Sequence, residues 1–378
     1  DGTRSACQEG SERMKEIAAG GVVYRKTNAG KLEIQLIMDR YGKITLAKGK
    51  MESGETVRQT ALREIKEETG LDGRIIADLA VVQYQYQKGS QTVDKEVHYF
   101  LVEAVDGRLA PQFEEIQAAE WHEPMKAWQL QKAQGYANND IVLIKALERL
   151  GQSRELLAGM IDHTQLKADA GYPDIEKLCR EAMQYHFYSV CVNSSWVEAC
   201  RRLLEGSEVK ISAVCGFPLG AAAAEVKARE AAYSIEKGAS EIDMVMQVGR
   251  LINGQEAEAG EDMKRVIDAV KHTKSDAVVK VILETGYLTE QQIRAACRIA
   301  EQSGADFVKT STGFGPRGAS EQDIVLMKDS VSDRVKIKAA GGIRDAETAL
   351  RYIALGASRL GTSAGPAIMA GAQNEAAY

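Results

Sequence analysis

Between Gly49 and Leu71 the chain reads GKMESGETVRQTALREIKEETGL, in which Glu64, Glu67 and Glu68 follow the i, i+3 and i+4 spacing of one helix face. Leu62 and Ile65 fall on the inward side, so an amphipathic helix is expected over Val57–Thr69. Three carboxylates on one face repel one another unless a cation lies among them. Hard oxygen donors of this kind suit Mg²⁺ or Mn²⁺, which can bridge pyrophosphate oxygens, neutralise developing charge and generate a hydroxide nucleophile. Arg40, Lys43, Lys48 and Lys50 lie in the expected loop before this helix with no acid between them, and can hold phosphates.

A second set of reactive residues lies further along. Lys309 stands near the end of an apolar run, where burial disfavours its charge, lowers its pKa and frees the amine to attack a carbonyl. A protonated lysine Schiff base is the electron sink that a retro-aldol cleavage needs. Lys338 in the next run can supply a second cation that strengthens the effect. Lys336 shares its strand parity but is expected deeper in the structure, which favours Lys338. Asp243 lies in another run, EIDMV, expected at the end of a strand, and by itself fits a helix cap as well as a catalytic group.

These residues need scaffolding of two kinds. Residues 1–13 show no hydrophobic period and read as a tail or a cloning remnant. From residue 14 to 150, strands expected at 17–24, 32–38, 80–87 and 97–105 alternate with helices at Val57–Thr69 and 140–150. After the short break Gly151-Gln152-Ser153 the rhythm changes. Eight apolar, β-rich runs begin near Gly159, Tyr188, Ile211, Glu241, Val278, Phe307, Val335 and Arg359, each gap holding one amphipathic helical stretch. Eight βα units in residues 151–378 predict a (β/α)8 TIM barrel with its active site at the carboxyl ends of the strands.

The segment from Gly49 to Leu71 resembles the Nudix signature at Gly49, Glu55, Arg63, Glu64, Ile65, Glu67, Glu68, Gly70 and Leu71. This resemblance implies an α/β/α sandwich over residues 14–150 and metal-dependent hydrolysis of a nucleoside diphosphate derivative. It implies metal binding by Glu64, Glu67 and Glu68 with help from the Gly49 carbonyl, a catalytic part for Glu67, and orientation of the acids by Arg63. A further glutamate from a later loop often contributes in this family, which makes Glu114 or Glu115 a candidate; a solvated acidic loop is the plainer reading. LAKGKMESGE is loosely similar to hydrolases of diadenosine polyphosphates.

The second part resembles class I deoxyribose-phosphate aldolase, through IDHTQLK at 161–167, CVN at 191–193, GFPLG at 216–220, EIDMV at 241–245, KVILETG at 280–286, FVKTSTGF at 307–314, KAAGGIR at 338–344 and GTS at 361–363. The resemblance gives Lys309 the Schiff-base role, Lys338 the pKa-lowering role and Asp243 the proton transfers, with Asp162 and Thr164 orienting the network. It implies cleavage of 2-deoxy-D-ribose 5-phosphate to D-glyceraldehyde 3-phosphate and acetaldehyde without a cofactor. Phosphate is expected at the loops after the seventh and eighth strands, on Gly342, Arg344, Gly361 and Ser363. Ala364 stands where relatives often carry a second serine, and Tyr378 matches a terminal tyrosine that some relatives use for proton abstraction; a disordered end fits Tyr378 equally well.

The balance of 48 Lys and Arg against 54 Asp and Glu, net −6, argues against a nucleic-acid platform. No apolar run approaches the roughly 20 residues of a membrane span, and the first 30 residues lack a secretory apolar core. A cytoplasmic protein is expected, with six reduced, mostly buried cysteines, small-molecule substrates, no nucleic-acid or membrane partner, and self-association into a homo-oligomer left open. Two functions compete: a bifunctional hydrolase and aldolase, or an aldolase regulated by a nucleotide-binding, non-hydrolysing Nudix domain. The complete acidic cluster favours the first.

Overall fold

The computed structural model describes residues 14–89, 91–110 and 116–371, which form two compact units divided between Gln152 and Ser153. Cys7, Glu114, Glu115 and Tyr378 lie outside the described residues, as does the expected tail of residues 1–13.

The first unit holds strands β1 (Met14–Lys26), β2 (Leu32–Asp39), β3 (Ile44–Thr45), β4 (Lys48–Lys50), β5 (Asp72–Lys88), β6 (Gln91–Asp106) and β7 (Ile116–His122). Its helices are α1 (Val57–Thr69), α2 (Pro124–Gln134) and α3 (Asp140–Arg149). The sheet runs β3-β2-β1-β6-β5, with β4 paired to β1 and β7 to β2. Central β1 lies parallel to β6 and antiparallel to β2 and β4, and buries Ala18, Ala19, Val22 and Val23 completely. Helix α1 seats Ala61 and Ile65 on Ala19, Val23, Phe100 and Val102, so its acidic face turns away from the core. With α3 packed on β1 and β5, the unit is the α/β/α sandwich expected.

Both ends of α1 are written locally. Thr56 and Gln59 form a reciprocal capping box, and the Gly70 N–H donates to the Lys66 carbonyl. Two differences from the sequence reading have physical causes. The segment Lys48–Lys50 is not a loop but a strand, too short for an alternating pattern to show, held by β1. Helix α2 escaped notice because its inward stripe of Pro124, Ala127, Trp128 and Gln131 includes a polar residue.

The second unit is a closed barrel of eight parallel strands: β8 (Ile161–Gln165), β9 (Ser189–Val192), β10 (Lys210–Cys215), β11 (Glu241–Val245), β12 (Val278–Ile282), β13 (Phe307–Lys309), β14 (Lys336–Ala340) and β15 (Arg359–Thr362). Registers place Asp243 beside Lys280, Lys309 beside Lys338, and Asp162 beside Gly361. Barrel interiors are usually filled by branched apolar side chains. Here Asp162, Glu241, Asp243, Lys280, Lys309, Lys338 and Arg359 are all buried. Cys179, Cys191, Cys200, Cys215 and Cys297 are buried and free, and no helix among the described residues is long and apolar enough to cross a membrane.

Candidate functional site

The strand period of two sends the side chains at 162, 243, 309 and 338 into one buried space inside the barrel. Lys309 Nζ lies 2.8 Å and Lys338 Nζ 2.7 Å from the same oxygen, Asp243 Oδ2. Lys338 also donates to Asp162 Oδ2 at 2.5 Å. The other Asp243 oxygen accepts from Lys280 Nζ at 2.7 Å and from the Ser212 hydroxyl at 3.0 Å. Below it, Lys280 pairs with Glu241 at 2.5 Å, while Arg359 joins Asp162 at 2.8 Å to Glu241 at 3.1 Å.

The network therefore joins four cations, Lys280, Lys309, Lys338 and Arg359, to three acids, Asp162, Glu241 and Asp243. One cation is in excess, and Lys309, with a single carboxylate contact, is the least compensated. Burial pushes its pKa down, and the Lys338 charge adds to that against the pull of Asp243. Lys338 is itself buried, yet Asp162 and Asp243 hold it well above the ordinary lysine value. Burial works against Asp243 too, but Lys280, Lys309 and Lys338 keep it ionised far below the usual carboxylate range. The fold thus yields one amine poised to lose its proton beside one that keeps it.

Sequence reasoning missed Lys280, Glu241 and Arg359. Glu241 has the inward parity of Asp243, and Lys280 stands in an otherwise apolar strand, so a parity argument applied to every strand would have found them. The reading of Lys336 needs correction: it is exposed at the amino end of β14, not deeper in the structure. Because a buried acid stripped of its cation is costly, Lys280→Met is expected to lower folding stability by about 3 kcal/mol. The change in urea midpoint of the intact chain checks this; an unchanged midpoint would mean that Arg359 and Ser212 suffice.

The remaining barrel residues separate. Thr164 is buried, its hydroxyl donating to the Asp162 carbonyl at 2.9 Å. Gly361 is also buried, and a Cβ there would stand 3.1 Å from Lys338 Cε, so this glycine makes room for the lysine. Gly342, Arg344 and Ser363 are exposed beyond β14 and β15, at the same end as Lys309.

In the first unit Arg63 gathers the acids. It donates to Glu55 at 2.7 and 3.0 Å, to Glu64 at 2.8 Å, to Glu67 at 2.9 Å and to the Lys50 carbonyl at 3.0 Å. Hydrogen bonding to Arg63 pulls the Glu55 pKa down to about 2. Glu68 accepts from the Lys48 N–H at 2.9 Å, tying the helix to β4. Gly49 has no alternative: a Cβ there would lie 2.0 Å from the Glu64 carboxyl carbon. Beside this cluster, the buried Glu16 carboxylate meets Lys95 at 2.8 Å and Lys50 at 3.6 Å. Arg40 stacks over Tyr41, and Lys43 is exposed.

Among the described residues no three carboxylate, imidazole or thiolate groups already stand at the spacing that holds a metal ion. Glu64 and Glu67 are turned to Arg63 instead. The donor set nevertheless fits a hard cation, since Glu64 presses on the bare Gly49 backbone and Glu68 reaches the adjoining residue.

A parallel barrel with paired lysines around one aspartate, preceded by an α/β/α unit with an arginine-bound acidic helix, defines a two-part enzyme. Residues 156–371 match the DeoC/LacD family aldolases, and the chain belongs to that family; residues 14–144 match the NUDIX domain. A deoxyribose-phosphate aldolase of Carboxydothermus hydrogenoformans is 52% identical over 215 residues, which span 57% of this chain and 94% of that protein. One from Caldicellulosiruptor saccharolyticus is 49% identical over 217 residues, covering 57% and 98%. The tetrameric deoxyribose phosphate aldolase structure from Aeropyrum pernix superposes with a TM-score of 0.55 at 32% identity, covering 59% of this chain and 93% of its own. The chain is thus a carbon–carbon lyase that also carries a Nudix hydrolase domain.

Proposed function

We propose that residues 151–378 cleave 2-deoxy-D-ribose 5-phosphate to D-glyceraldehyde 3-phosphate and acetaldehyde through a Schiff base on Lys309. The observation that carries this reading is the sharing of one Asp243 oxygen by Lys309 and Lys338 inside a network with one cation in excess. Neutral Lys309 adds to the sugar's C1 aldehyde, and loss of water from the carbinolamine leaves an iminium. Asp243, at hydrogen-bond distance from Lys309, and Lys338, bound to the same Asp243 oxygen, hold and pass the protons. The C2–C3 bond then breaks, its electrons forming the enamine while the C3 hydroxyl loses its proton and becomes the aldehyde of glyceraldehyde 3-phosphate. Protonation at C2 and hydrolysis release acetaldehyde and restore the amine. Asp162 and Thr164 orient the lysines, and Gly342, Arg344, Gly361 and Ser363 are assigned to the phosphate end. The named activity of the relatives supports this choice of substrate.

Lys338→Leu tests the electrostatic part. Removing the neighbouring cation leaves Asp243 less neutralised, so Lys309 holds its proton more tightly and less of it is free amine at neutral pH. Acetaldehyde release is expected to slow roughly 10–100-fold at pH 7 and to recover partly at higher pH. Slowing that is the same at every pH would show that Lys338 acts otherwise.

For residues 14–150 we infer metal-dependent hydrolysis of a nucleoside diphosphate derivative. Glu64, Glu67, Glu68 and Gly49 would hold Mg²⁺ or Mn²⁺, which neutralises pyrophosphate charge and supplies a hydroxide nucleophile when bound. Arg63 sets the acids, Glu67 serves as the catalytic carboxylate, and Lys48 and Lys50 border the site for phosphates. The intact acidic set supports turnover over mere nucleotide sensing. The tetramer in the Aeropyrum pernix relative supports a homo-oligomer here.

A further inference from the structure

Glu284, immediately beyond β12, combines two costly features. Its backbone is left-handed, φ 56 and ψ 61, where a residue other than glycine is strained by roughly 1–2 kcal/mol. Its carboxyl group is buried, at 3% exposure. Strain and a buried acid at one position persist only where surrounding contacts over-determine them.

Those contacts converge on the segment that begins with Lys309. The Leu283 N–H donates to the Lys309 carbonyl and the Thr285 N–H to the Thr310 carbonyl, both at 2.9 Å. Between these two donors, the kink at 284 lets the carboxylate reach over the chain. There it accepts from the Thr312 N–H at 3.2 and 3.4 Å and from the Thr312 hydroxyl. It also stands 2.7 Å from where a Cβ on Gly315 would be, so the turn after Thr312 folds against it. From the other side β14 holds the same segment, with Thr310 N–H donating to the Lys338 carbonyl at 3.1 Å.

We propose that Glu284 is a positioning residue of the aldolase: by clamping Thr312 it fixes the strand end at Lys309 so that the amine stays within reach of Asp243 and Lys338. Its hydrogen bonds go to Thr312, and the Lys309 charge acts on it only through space. The proposal rests on the reading of Lys309 as the Schiff-base lysine.

Borohydride trapping of the full-length chain with 2-deoxyribose 5-phosphate tests both readings separately. If the parent chain gives no adduct on Lys309, the Schiff-base reading fails first. With trapping established, Glu284→Gln and Thr312→Val are expected to slow both trapping and kcat at least tenfold while KM moves less than threefold. The double variant should be little slower than the slower single one, because both weaken the same clamp. Glu284→Gly gives the sharpest contrast. It relieves the left-handed strain, so its thermal midpoint should match or exceed that of Glu284→Gln while its trapping stays slow. Trapping within twofold of the parent in Glu284→Gln, or in Thr312→Val where the former does not fold, overturns the proposal. A rise in KM with kcat unchanged does the same, since it would place Glu284 in substrate binding.

Discussion

Borohydride added during turnover of 2-deoxyribose 5-phosphate is expected to leave a covalent adduct on Lys309, and Lys309→Ala to lose roughly 10⁴-fold or more of the cleavage rate. Three lysines crowd the same space, so the assignment is open to a direct challenge. Lys338 is paired with two carboxylates and Lys280 with three, which hold both amines protonated above the ordinary lysine value against the pull of burial. Lys309 has one carboxylate contact and is pushed the other way. A protonated amine cannot attack a carbonyl, so selectivity among the three follows from this asymmetry. Peptide mapping that placed the adduct on Lys338 or Lys280 would reverse the electrostatic ordering, whatever the activity of the Ala variant.

Chelation is expected to have the second large effect and to divide the activities. Removing divalent cations should cut hydrolysis by the Nudix unit roughly 10³-fold or more, because Glu64, Glu67 and Glu68 alone cannot neutralise a pyrophosphate or activate water. Aldol cleavage should continue unchanged, since its electron sink is an amine. Glu67→Gln should mimic the chelator, with the chain still folded by circular dichroism. Hydrolysis that survives thorough chelation would contradict the metal reading; loss of both activities in a folded chain would contradict independent sites. The same assay, run over sugar-linked nucleoside diphosphates and dinucleoside polyphosphates, decides why the two domains are joined. Release of a sugar 5-phosphate would make the first unit a supplier of aldolase-type substrates. A ribose product would still have to fit a deoxysugar site, and a pocket rejects one added hydroxyl only modestly unless shaped against it.

How much was legible beforehand differs between the two sites. The acidic helix was readable almost completely, because everything that defines it is local: the cap at Thr56, the stop at Gly70, the inward Ile65 and the glutamates on the other face lie within one short segment. What the sequence left open was the direction of those side chains. Arg63 binds Glu55, Glu64 and Glu67 at once, and Glu68 turns to the backbone of β4, a strand too short to announce itself. In the barrel, Lys309, Lys338, Asp243 and Asp162 could be named from their runs and from family resemblance, and the eight-strand rhythm gave the architecture.

The sequence by itself determined the longer elements and which side of each is apolar, since periods of 2 and 3.6 residues are properties of a single segment. It determined the reactive residue types as well. Only the tertiary structure decided which charges meet. Strand closure brings Asp162 from the first barrel strand to Lys338 on the seventh and Arg359 on the eighth, partners 176 and 197 residues apart in the chain. The pKa of a buried amine is the sum of burial and every charge around it, and that sum does not exist until the barrel is closed. Lys280, Glu241 and Glu284 gain their meaning in the same way, from neighbours supplied by other strands and loops.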